Sequence, residues 1–336
     1  MTAAREAEKA GFLARAGWGA AAQAHLAGDA SARSYRRLTL GGRTAVLMDS
    51  PPGPGEDTAD FLRIAAHLAA LGLSAPQVME ASPERGLLLL EDLGDALYTR
   101  ILADDPAREA ELYAAAVDVL VALQSAPPAA DVPNLTARDW ADAAGLAVEF
   151  YAGAILGQPP EAGAYTEALA RAMADHADAA RVLILRDYHA GNLIWLPDRQ
   201  GVARVGLLDF QQAQLGQPGY DLVSLLQDAR RDVAPATETA GLARFAAARG
   251  LAPADLAPAY AALGAQRALR IIGIFARLCL VMGKPSYVAL IPRVWAQLQA
   301  NLAHPALADL RRACAAMLPP PTAENLARIV ARGAGA

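Results

Sequence analysis

Apolar residues in the first 92 positions occur in short runs of the kind that form β-strands. The segments 34–40 (SYRRLTL) and 44–52 (TAVLMDSPP) flank a glycine pair and predict a β-hairpin. The run 86–93 (GLLLLEDL) predicts another, buried strand. These segments together indicate a small antiparallel sheet near the N-terminus.

A different periodicity separates the hairpin from the buried strand. Residues 57–72 repeat apolar side chains at helical spacing, and Gly72 is a stop signal. The apolar residues that share one face are Phe61, Ile64, Ala65 and Leu68. We therefore expect one helix to accompany the sheet.

From about residue 96 the chain becomes rich in alanine and predominantly helical in pattern. Strand-like runs at 181–187, 192–197 and 202–210 interrupt this pattern. The chain is therefore predicted to have an α+β fold of two lobes. The small N-terminal lobe covers residues 1–92, and the large helical lobe covers residues 93–336.

Composition and charge narrow the classes of function. The 336 residues are 54% apolar and carry a formal net charge of -5, so a sizeable core is expected and a basic surface for nucleic acid or anionic membrane is not. No membrane-spanning segment is predicted. The only two cysteines, Cys279 and Cys314, have no metal-ligand or redox spacing, which fits a reducing cytoplasm. A small-molecule partner is the expectation that remains, and the oligomeric state stays open.

One polar stretch lies between two apolar runs, in residues 183–195 (LILRDYHAGNLIW). Asp187 and Asn192 lie at its two ends, and Asp209 follows at the end of the next apolar run. A carboxylate can take the proton of an attacking hydroxyl, while an amide oxygen and a second carboxylate are hard ligands for Mg²⁺. The three residues therefore favour phosphoryl transfer, which depends on positioning, metal ions and a base.

The motifs DYHAGN and DFQ, followed by GQPGYDLVSL, resemble the catalytic and metal-binding segments of the aminoglycoside phosphotransferase and choline kinase family. The chain is most similar to the bacterial anomeric kinases of N-acetylmuramate and N-acetylglucosamine, which act in cell-wall recycling. The resemblance implies a protein-kinase-like fold and transfer of phosphate from ATP to the C1 hydroxyl of an amino sugar. It also implies Asp187 as the base, with Asn192 and Asp209 as Mg²⁺ ligands.

The resemblance extends to the nucleotide site in the N-terminal lobe. The segment 26–38 (LAGDASARSYRRL), which contains Arg33, is similar to the hairpin that covers the phosphates. The segment 87–95 (LLLLEDLGD) is similar to the strand that leads to the adenine-binding hinge. The small residues proposed at the phosphates are Gly28, Ala30 and Ser31, and the proposed hinge residues are Glu91, Asp92 and Leu93.

One departure from the family concerns the phosphates of ATP. The family carries a lysine in the third strand, whereas this chain has Met48 or Asp49 there, and its only lysines are Lys9 and Lys284. Arginine binds phosphate bidentately, so an altered phosphate clamp is the hypothesis. The arginines that could form it are Arg33, Arg36 and Arg37.

Several other residues are expected to support the loop or the acceptor. Arg186 and His189 are expected to brace the loop, and Asp221 to cap the following helix or bond to the loop. Three arginines at helical spacing are either a solvated face or the partner of an acceptor carboxylate: Arg267, Arg270 and Arg277. The alternatives are another hydroxylated acceptor, such as an aminoglycoside, choline or another amino sugar, or an inactive nucleotide-binding regulator.

Overall fold

The computed structural model describes residues 3–26, 33–53 and 58–334. Up to residue 176 the elements are α1 (Ala3–Arg15), β1 (Ala22–Leu26), β2 (Ser34–Leu40), β3 (Arg43–Asp49), α2 (Thr58–Ala70), β4 (Val78–Ser82), β5 (Leu87–Leu90), α3 (Tyr98–Asp104), α4 (Glu109–Ser125), α5 (Ala137–Ala143), α6 (Gly153–Leu156) and α7 (Gly163–His176). They are followed by β6 (Val182–Ile184), β7 (Leu193–Trp195), β8 (Val205–Leu207), β9 (Gln214–Gly216), α8 (Tyr220–Leu226), α9 (Pro235–Ala248), α10 (Pro253–Met282), α11 (Ile291–Leu302), α12 (Ala308–Met317) and α13 (Ala323–Gly333).

The described residues form two compact units that are discontinuous in sequence. One unit combines the described part of Met1–Arg108 with Gly191–Ala213, and the other combines Glu109–Ala190 with Gln214–Ala336. The first unit therefore differs from the division expected after residue 92. It runs sixteen residues further and also takes in β7 and β8.

The first unit is built on a five-stranded antiparallel sheet in the order β1-β2-β3-β5-β4. The predicted β2–β3 hairpin is confirmed, with Leu40 opposite Arg43. Gly41 and Gly42 connect the strands with φ angles of 58° and 78°. Two successive positive φ angles define the hairpin turn that matches the twist of the strands, which explains the glycine pair.

Helix α1 covers one face of this sheet. Its Phe12 and Leu13, with Trp18, pack on the inward residues of β2, β3 and β5. Those residues are Leu38, Ala45, Leu47, Leu87 and Leu89. Because side chains alternate along a strand, Met48 and Leu88 lie on the other face, where they are also buried. The predicted helix 57–72 is confirmed as α2, with its expected apolar face buried.

The β7–β8 hairpin belongs to the first unit through main-chain bonds. The N–H of Leu207 donates to the carbonyl of Ser74 at 2.9 Å, and that of Trp195 donates to the carbonyl of Ala96 at 2.8 Å. The ring of Phe210 lies 4.9 Å from that of Phe61 on α2. These contacts fix the segment that carries Asn192 and Asp209.

The second unit is helical and is organised around α10. This helix has 30 residues, of which more than half are buried, and packs against α11, α7 and α8. Strands β6 and β9 pair antiparallel in this unit, with Leu183 opposite Leu215. The end of β6 leads into the loop that carries Asp187. No helix among the described residues is both long and apolar enough to cross a membrane.

Candidate active site

Asp187 lies at the end of a tightly turned loop in the second unit. The loop follows β6, and Arg186 has a φ angle of 73°, a left-handed conformation that is uncommon for a residue other than glycine. The N–H of Asp187 donates to the carbonyl of Leu185 at 2.9 Å. The Asp187 side chain is exposed and so is accessible to a substrate. Strained backbone of this kind persists where surrounding contacts hold it.

Asp221 supplies the contacts that hold this loop. Its Oδ2 accepts from the N–H of Leu185 at 2.6 Å, and its Oδ1 accepts from the N–H of Arg186 at 2.9 Å. The side chain is completely buried on α8, and burial raises the pKa of its carboxyl to about 7 in spite of the two N–H donors. Asp221 thus bonds to the loop and is not the N-cap of α8, a position that Gly219 occupies.

Arg186 is held by aromatic rings. Its guanidinium lies 5.8 Å from the ring of Trp140, and Trp140 stacks on Tyr220 at 4.6 Å. Burial, and then the positive charge of Arg270, lower the pKa of Arg186. A guanidinium over an indole gains cation–π attraction, which is strongest where water is excluded. The side chain of Arg186 therefore connects the loop to the helical core through Trp140.

His189 is buried in the same loop. Burial is the main cause that lowers the pKa of its imidazole, so the ring is neutral near pH 7. Its Nε2 lies 3.4 Å from Nη1 of Arg230. The neighbouring Tyr188 donates its hydroxyl to the carbonyl of Ala116 on α4 at 2.8 Å. Both side chains therefore fasten the loop to the second unit.

Asn192 and Asp209 lie together at one end of the β7–β8 ladder in the first unit. Leu193 pairs with Leu207, and the N–H of Leu208 donates to the carbonyl of Asn192 at 3.0 Å. Asp209 has a φ angle of 56°, and its Oδ1 accepts from Nε2 of Gln211 at 2.6 Å. An amide oxygen and a half-exposed carboxylate at one ladder end fit Mg²⁺, which takes one or two protein oxygens with substrate phosphates.

Arg33 reaches this same end of the ladder. Its Nη1 lies 3.6 Å from Oδ1 of Asp209, and its side chain is only 7% exposed. Arg36 instead bonds to Glu6 on α1 at 2.8 Å. Arg37 pairs with Asp92 at 2.7 Å and with Asp95. The three candidate arginines thus have different partners, and Arg33 is the one beside the candidate metal ligand.

The structure also shows what surrounds Asp49, which lies in the strand where the family carries a lysine. Asp49 is buried on the sheet face that α1 covers, where it accepts from Arg5 at 2.6 Å and pairs with Lys9 at 3.0 Å. Lys9 is itself buried, so the N-terminal lysine has a structural role. Lys9 is thus engaged with Asp49, while the guanidinium of Arg33 lies 3.6 Å from Asp209.

The hinge residues lie between β5 and α3. Glu91 pairs with Arg199 at 2.5 Å, and its N–H donates to the carbonyl of Gln77. Asp92 accepts from Arg37 and from the N–H of Gly94. Within the described ranges, the main chain of Leu93 makes no hydrogen bond, which leaves its N–H and carbonyl for a base. Gly28, Ala30 and Ser31 lie outside the described residues.

The three arginines of α10 occupy different surroundings. Arg267 is buried, and its guanidinium donates to the hydroxyl of Ser224 at 2.8 Å and to the carbonyl of Gln227 at 3.3 Å. Arg270 is half-buried, and Arg277 is exposed above the ring of Phe150 at 5.9 Å. The spacing predicted that these arginines share one face of the helix. In the structure Arg267 is buried, Arg270 is half-buried and Arg277 is exposed.

Some residues at the site gave no signal in the sequence. Asp228 is buried, and its Oδ1 accepts from the N–H of Arg230 at 2.8 Å. Arg231 pairs with Glu109 at 2.8 Å and donates to the hydroxyl of Tyr113. Asp228, Arg230 and Arg231 follow α8 in the segment DARRD, whose only distinctive feature in the sequence is its density of charged residues.

A cavity of about 340 Å³ also lies in the second unit. Its polar lining consists of Gln227, Asp232, Glu238, Arg293 and Gln297. Neither Asp187 nor Arg270 lines it, and Arg293 is paired with Asp232 at 2.6 Å. We therefore do not place the reacting hydroxyl there, since a base must lie within hydrogen-bond reach of its proton.

Two comparisons concern the sequence. The APH profile, described as the phosphotransferase enzyme family, matches residues 23–263. An N-acetylmuramate/N-acetylglucosamine kinase of Caulobacter vibrioides is 42% identical over 358 residues, covering 93% of this chain and 96% of that protein. The kinase of the same name from Pseudomonas aeruginosa is 34% identical over 312 residues, covering 88% and 89%.

The fold is similar to that of solved phosphotransferases. A choline/ethanolamine kinase family protein from Mesorhizobium loti gives a TM-score of 0.63 at 15% identity, covering 97% of this chain and 99% of that one. A thermostable aminoglycoside phosphotransferase APH(4)-Ia in complex with AMP-PNP and hygromycin B gives 0.59 at 17% identity, covering 88% and 99%. The predicted protein-kinase-like fold is thus confirmed, and the chain is an enzyme that belongs to the phosphotransferase family.

Proposed function

We propose that this chain is an ATP- and Mg²⁺-dependent cytoplasmic kinase that phosphorylates the anomeric C1 hydroxyl of N-acetylmuramate or N-acetylglucosamine in peptidoglycan recycling. The observation that carries the proposal is the 42% identity to a kinase named for these two sugars, across 93% of the chain. The exposed Asp187 carboxylate on a loop held by a buried aspartate supports it.

In this mechanism Asp187 accepts the proton of the sugar hydroxyl. A positioned general base contributes about 10²- to 10⁴-fold to a rate, provided that it is held within hydrogen-bond distance of the proton. Asp221 and the stacked Arg186 keep the loop in the left-handed turn that presents Asp187. His189 is neutral and fastened to Arg230, so it is assigned a positioning role.

The first unit holds the nucleotide in this proposal. The main chain at Leu93 hydrogen-bonds the base, and Asn192 and Asp209 hold the magnesium ion, which when bound neutralises charge on the phosphates. Arg33 lies beside Asp209 and serves as the phosphate clamp in place of the family's strand lysine. A guanidinium matches phosphate with two parallel hydrogen bonds, which an ammonium group does not.

The charges around Asp187 favour an anionic or neutral sugar as the acceptor. Arg186, Arg230, Arg267 and Arg270 lie in the same unit close to the loop, where the carboxylates are Asp187, Asp221 and Asp228. The excess of positive charge disfavours a polycationic aminoglycoside. Choline carries a positive charge and is disfavoured for the same reason. An inactive regulator would not need an exposed carboxylate on a strained loop.

The test is an ADP-release assay over N-acetylmuramate, N-acetylglucosamine, kanamycin and choline, with the product identified by phosphorus NMR. We expect turnover on the amino sugars and a 1-phosphate product. Asp187→Asn should lower kcat at least about a hundredfold, whereas Asp175→Asn, at an exposed position on α7, should not. Turnover on choline or kanamycin alone, a 6-phosphate product, or ATP binding without any turnover would each contradict the proposal.

A further inference from the structure

Several guanidinium groups of the second unit surround the loop of Asp187, and most of them are engaged. Arg186 lies on the Trp140 ring, and Arg267 donates to Ser224 and Gln227. Arg230 contacts His189 at 3.4 Å. These arginines therefore have partners within the fold.

Arg270 differs from them. It lies one turn beyond Arg267 on α10, so the two side chains project from neighbouring positions on one face. It is half-buried, and in the part of the chain that the structure describes no carboxylate pairs with it. The guanidinium groups of Arg186 and Arg267 lie close enough to Arg270 to repel it. A half-buried cation beside two like charges gains free energy from a bound anion.

A chain of contacts connects this part of α10 to the base. The hydroxyl of Ser224 donates to the carbonyl of Arg186 at 3.4 Å and accepts from Nη2 of Arg267 at 2.8 Å. The carbonyl of Arg186 belongs to the peptide group that leads directly to Asp187. One hydroxyl thus lies between the arginine-bearing face of α10 and the loop that carries the base. On the same helix, Nε2 of Gln266 donates to the carbonyl of Trp140 at 2.9 Å, the residue whose ring Arg186 contacts.

We propose that Arg270 binds a carboxylate on the acceptor sugar and thereby sets the preference of this chain for N-acetylmuramate over N-acetylglucosamine. The inference rests on the proposed function and deepens it. The two sugars differ by a lactyl ether on the C3 oxygen of N-acetylmuramate, which adds one carboxylate. The ether is attached to a ring carbon two positions from C1, whose hydroxyl Asp187 deprotonates in the proposed function. Arg270 interacts electrostatically with Arg186, the residue before Asp187, and its guanidinium can donate two parallel hydrogen bonds to the carboxylate.

A second use of Arg270 would be contact with the transferred phosphoryl group. Both sugars receive the same phosphoryl group, so this use would change the two reactions equally. The ratio of the two kcat/KM values therefore separates recognition of the acceptor from a role in the transfer itself.

The experiment is a thermodynamic cycle between Arg270 and the substrate carboxylate. The wild-type enzyme and Arg270→Gln are assayed with N-acetylmuramate, its neutral methyl ester and N-acetylglucosamine. We expect Arg270→Gln to lower the kcat/KM ratio of N-acetylmuramate to N-acetylglucosamine by about ten- to a hundredfold, as for loss of a charged hydrogen bond. Esterification should lower wild-type kcat/KM by a similar factor and have little further effect in Arg270→Gln.

Two further variants serve as controls. Arg270→Lys keeps the charge and should recover part of the ratio, while Arg311→Gln, exposed on α12, should leave the ratio at the wild-type value. Thermal unfolding of each variant separates a folding defect from a recognition defect. An unchanged ratio in a folded Arg270→Gln enzyme overturns the inference. If the wild-type enzyme phosphorylates neither sugar, the proposed function itself fails, which is a distinguishable result.

Discussion

At the scale of single residues, the Asp221 carboxyl should make the free energy of unfolding depend on pH. Its pKa is raised by burial to about 7, so the folded chain binds its proton more tightly than the unfolded chain does. Stability contributed by this carboxyl is therefore fully present at a pH near or below its unfolded pKa of about 4, and is lost as pH rises towards 7.

Substitution of Asp221 by Asn tests this dependence. The amide keeps one acceptor for the two N–H groups of Leu185 and Arg186, so the variant should lose about 1 to 2 kcal/mol of unfolding free energy at pH 5. The difference should shrink by pH 7.5, because only the wild-type residue becomes charged. Urea unfolding at both pH values measures it, with Asp175→Asn as control. A constant difference would contradict the raised pKa.

Arg33 offers a second prediction at this scale. Arg33→Ala should weaken ATP binding about tenfold or more while leaving adenosine binding little changed, because adenosine lacks the phosphates that the guanidinium would bind. Isothermal titration with ATP, ADP and adenosine measures the difference without relying on turnover. Equal weakening for all three ligands would indicate a structural role for Arg33 instead.

Arg36 is the matched comparison for Arg33. It lies three positions further in β2, but its partner is Glu6 on α1, so Arg36→Ala should affect stability more than ATP binding. The sequence offered both arginines as phosphate ligands. They are distinguished because Arg33 precedes β2 whereas Arg36 lies within it, and because α1 packs on the sheet at a place that no local pattern reveals.

At the scale of elements, a local sequence pattern was enough to predict an element whose conformation is determined by its own residues. The β2–β3 turn needs two residues with positive φ, and a glycine pair announces it. Helix α2 shows its buried face through its own spacing. The partners of Asp49 could not be predicted this way, because Arg5 and Lys9 reach it from forty or more residues away along the chain. Likewise, the burial of Arg267 depends on α8 and not on its own helix.

Two helix glycines give opposite predictions. A Cβ at Gly273 on α10 would lie 2.3 Å from the carbonyl carbon of Leu146 and 2.5 Å from the nitrogen of Ala147, so Gly273→Ala forces backbone apart. At Gly11 on α1 the nearest atom is the end of Arg15 at 3.6 Å, which is ordinary contact. Gly273→Ala should destabilise by about 1 to 3 kcal/mol, and Gly11→Ala should stabilise by up to about 1 kcal/mol.

Differential scanning calorimetry of Gly273→Ala and Gly11→Ala tests this prediction. Opposite shifts in Tm are expected, since helix propensity favours alanine equally at both sites and only the space around the Cβ differs. A rise in Tm for Gly273→Ala would mean that α10 and residues 146–147 are not in such close approach.

At the scale of the whole molecule, the sequence showed that two units exist but not that they are discontinuous. The segment Gly191–Ala213 follows the loop of Asp187 along the chain, yet its main chain bonds to Ser74 and Ala96. Main-chain pairing between segments 99 and 133 residues apart leaves no trace in local periodicity. The candidate Mg²⁺ ligands were found through motif spacing, whereas their place in the first unit required the structure.

This discontinuity predicts how fragments should behave. Residues 1–108 alone lack β7 and β8, so the carbonyls of Ser74 and Ala96 lose their partners and Phe61 loses the Phe210 ring. Unsatisfied polar groups and lost packing are each worth about 1 kcal/mol or more, a large part of the stability of a small domain. Circular dichroism should therefore show that the fragment is unfolded or aggregated.

Joining residues 191–213 to this fragment through a Gly/Ser linker of about 20 residues, which spans roughly 25 Å, should restore cooperative unfolding. A fused control with Phe210→Ala and Leu207→Pro should not fold, because it removes the ring contact and the N–H that bonds to Ser74. If residues 1–108 folded cooperatively by themselves, the β7–β8 hairpin would be dispensable to the first unit, and its role would be limited to carrying Asn192 and Asp209.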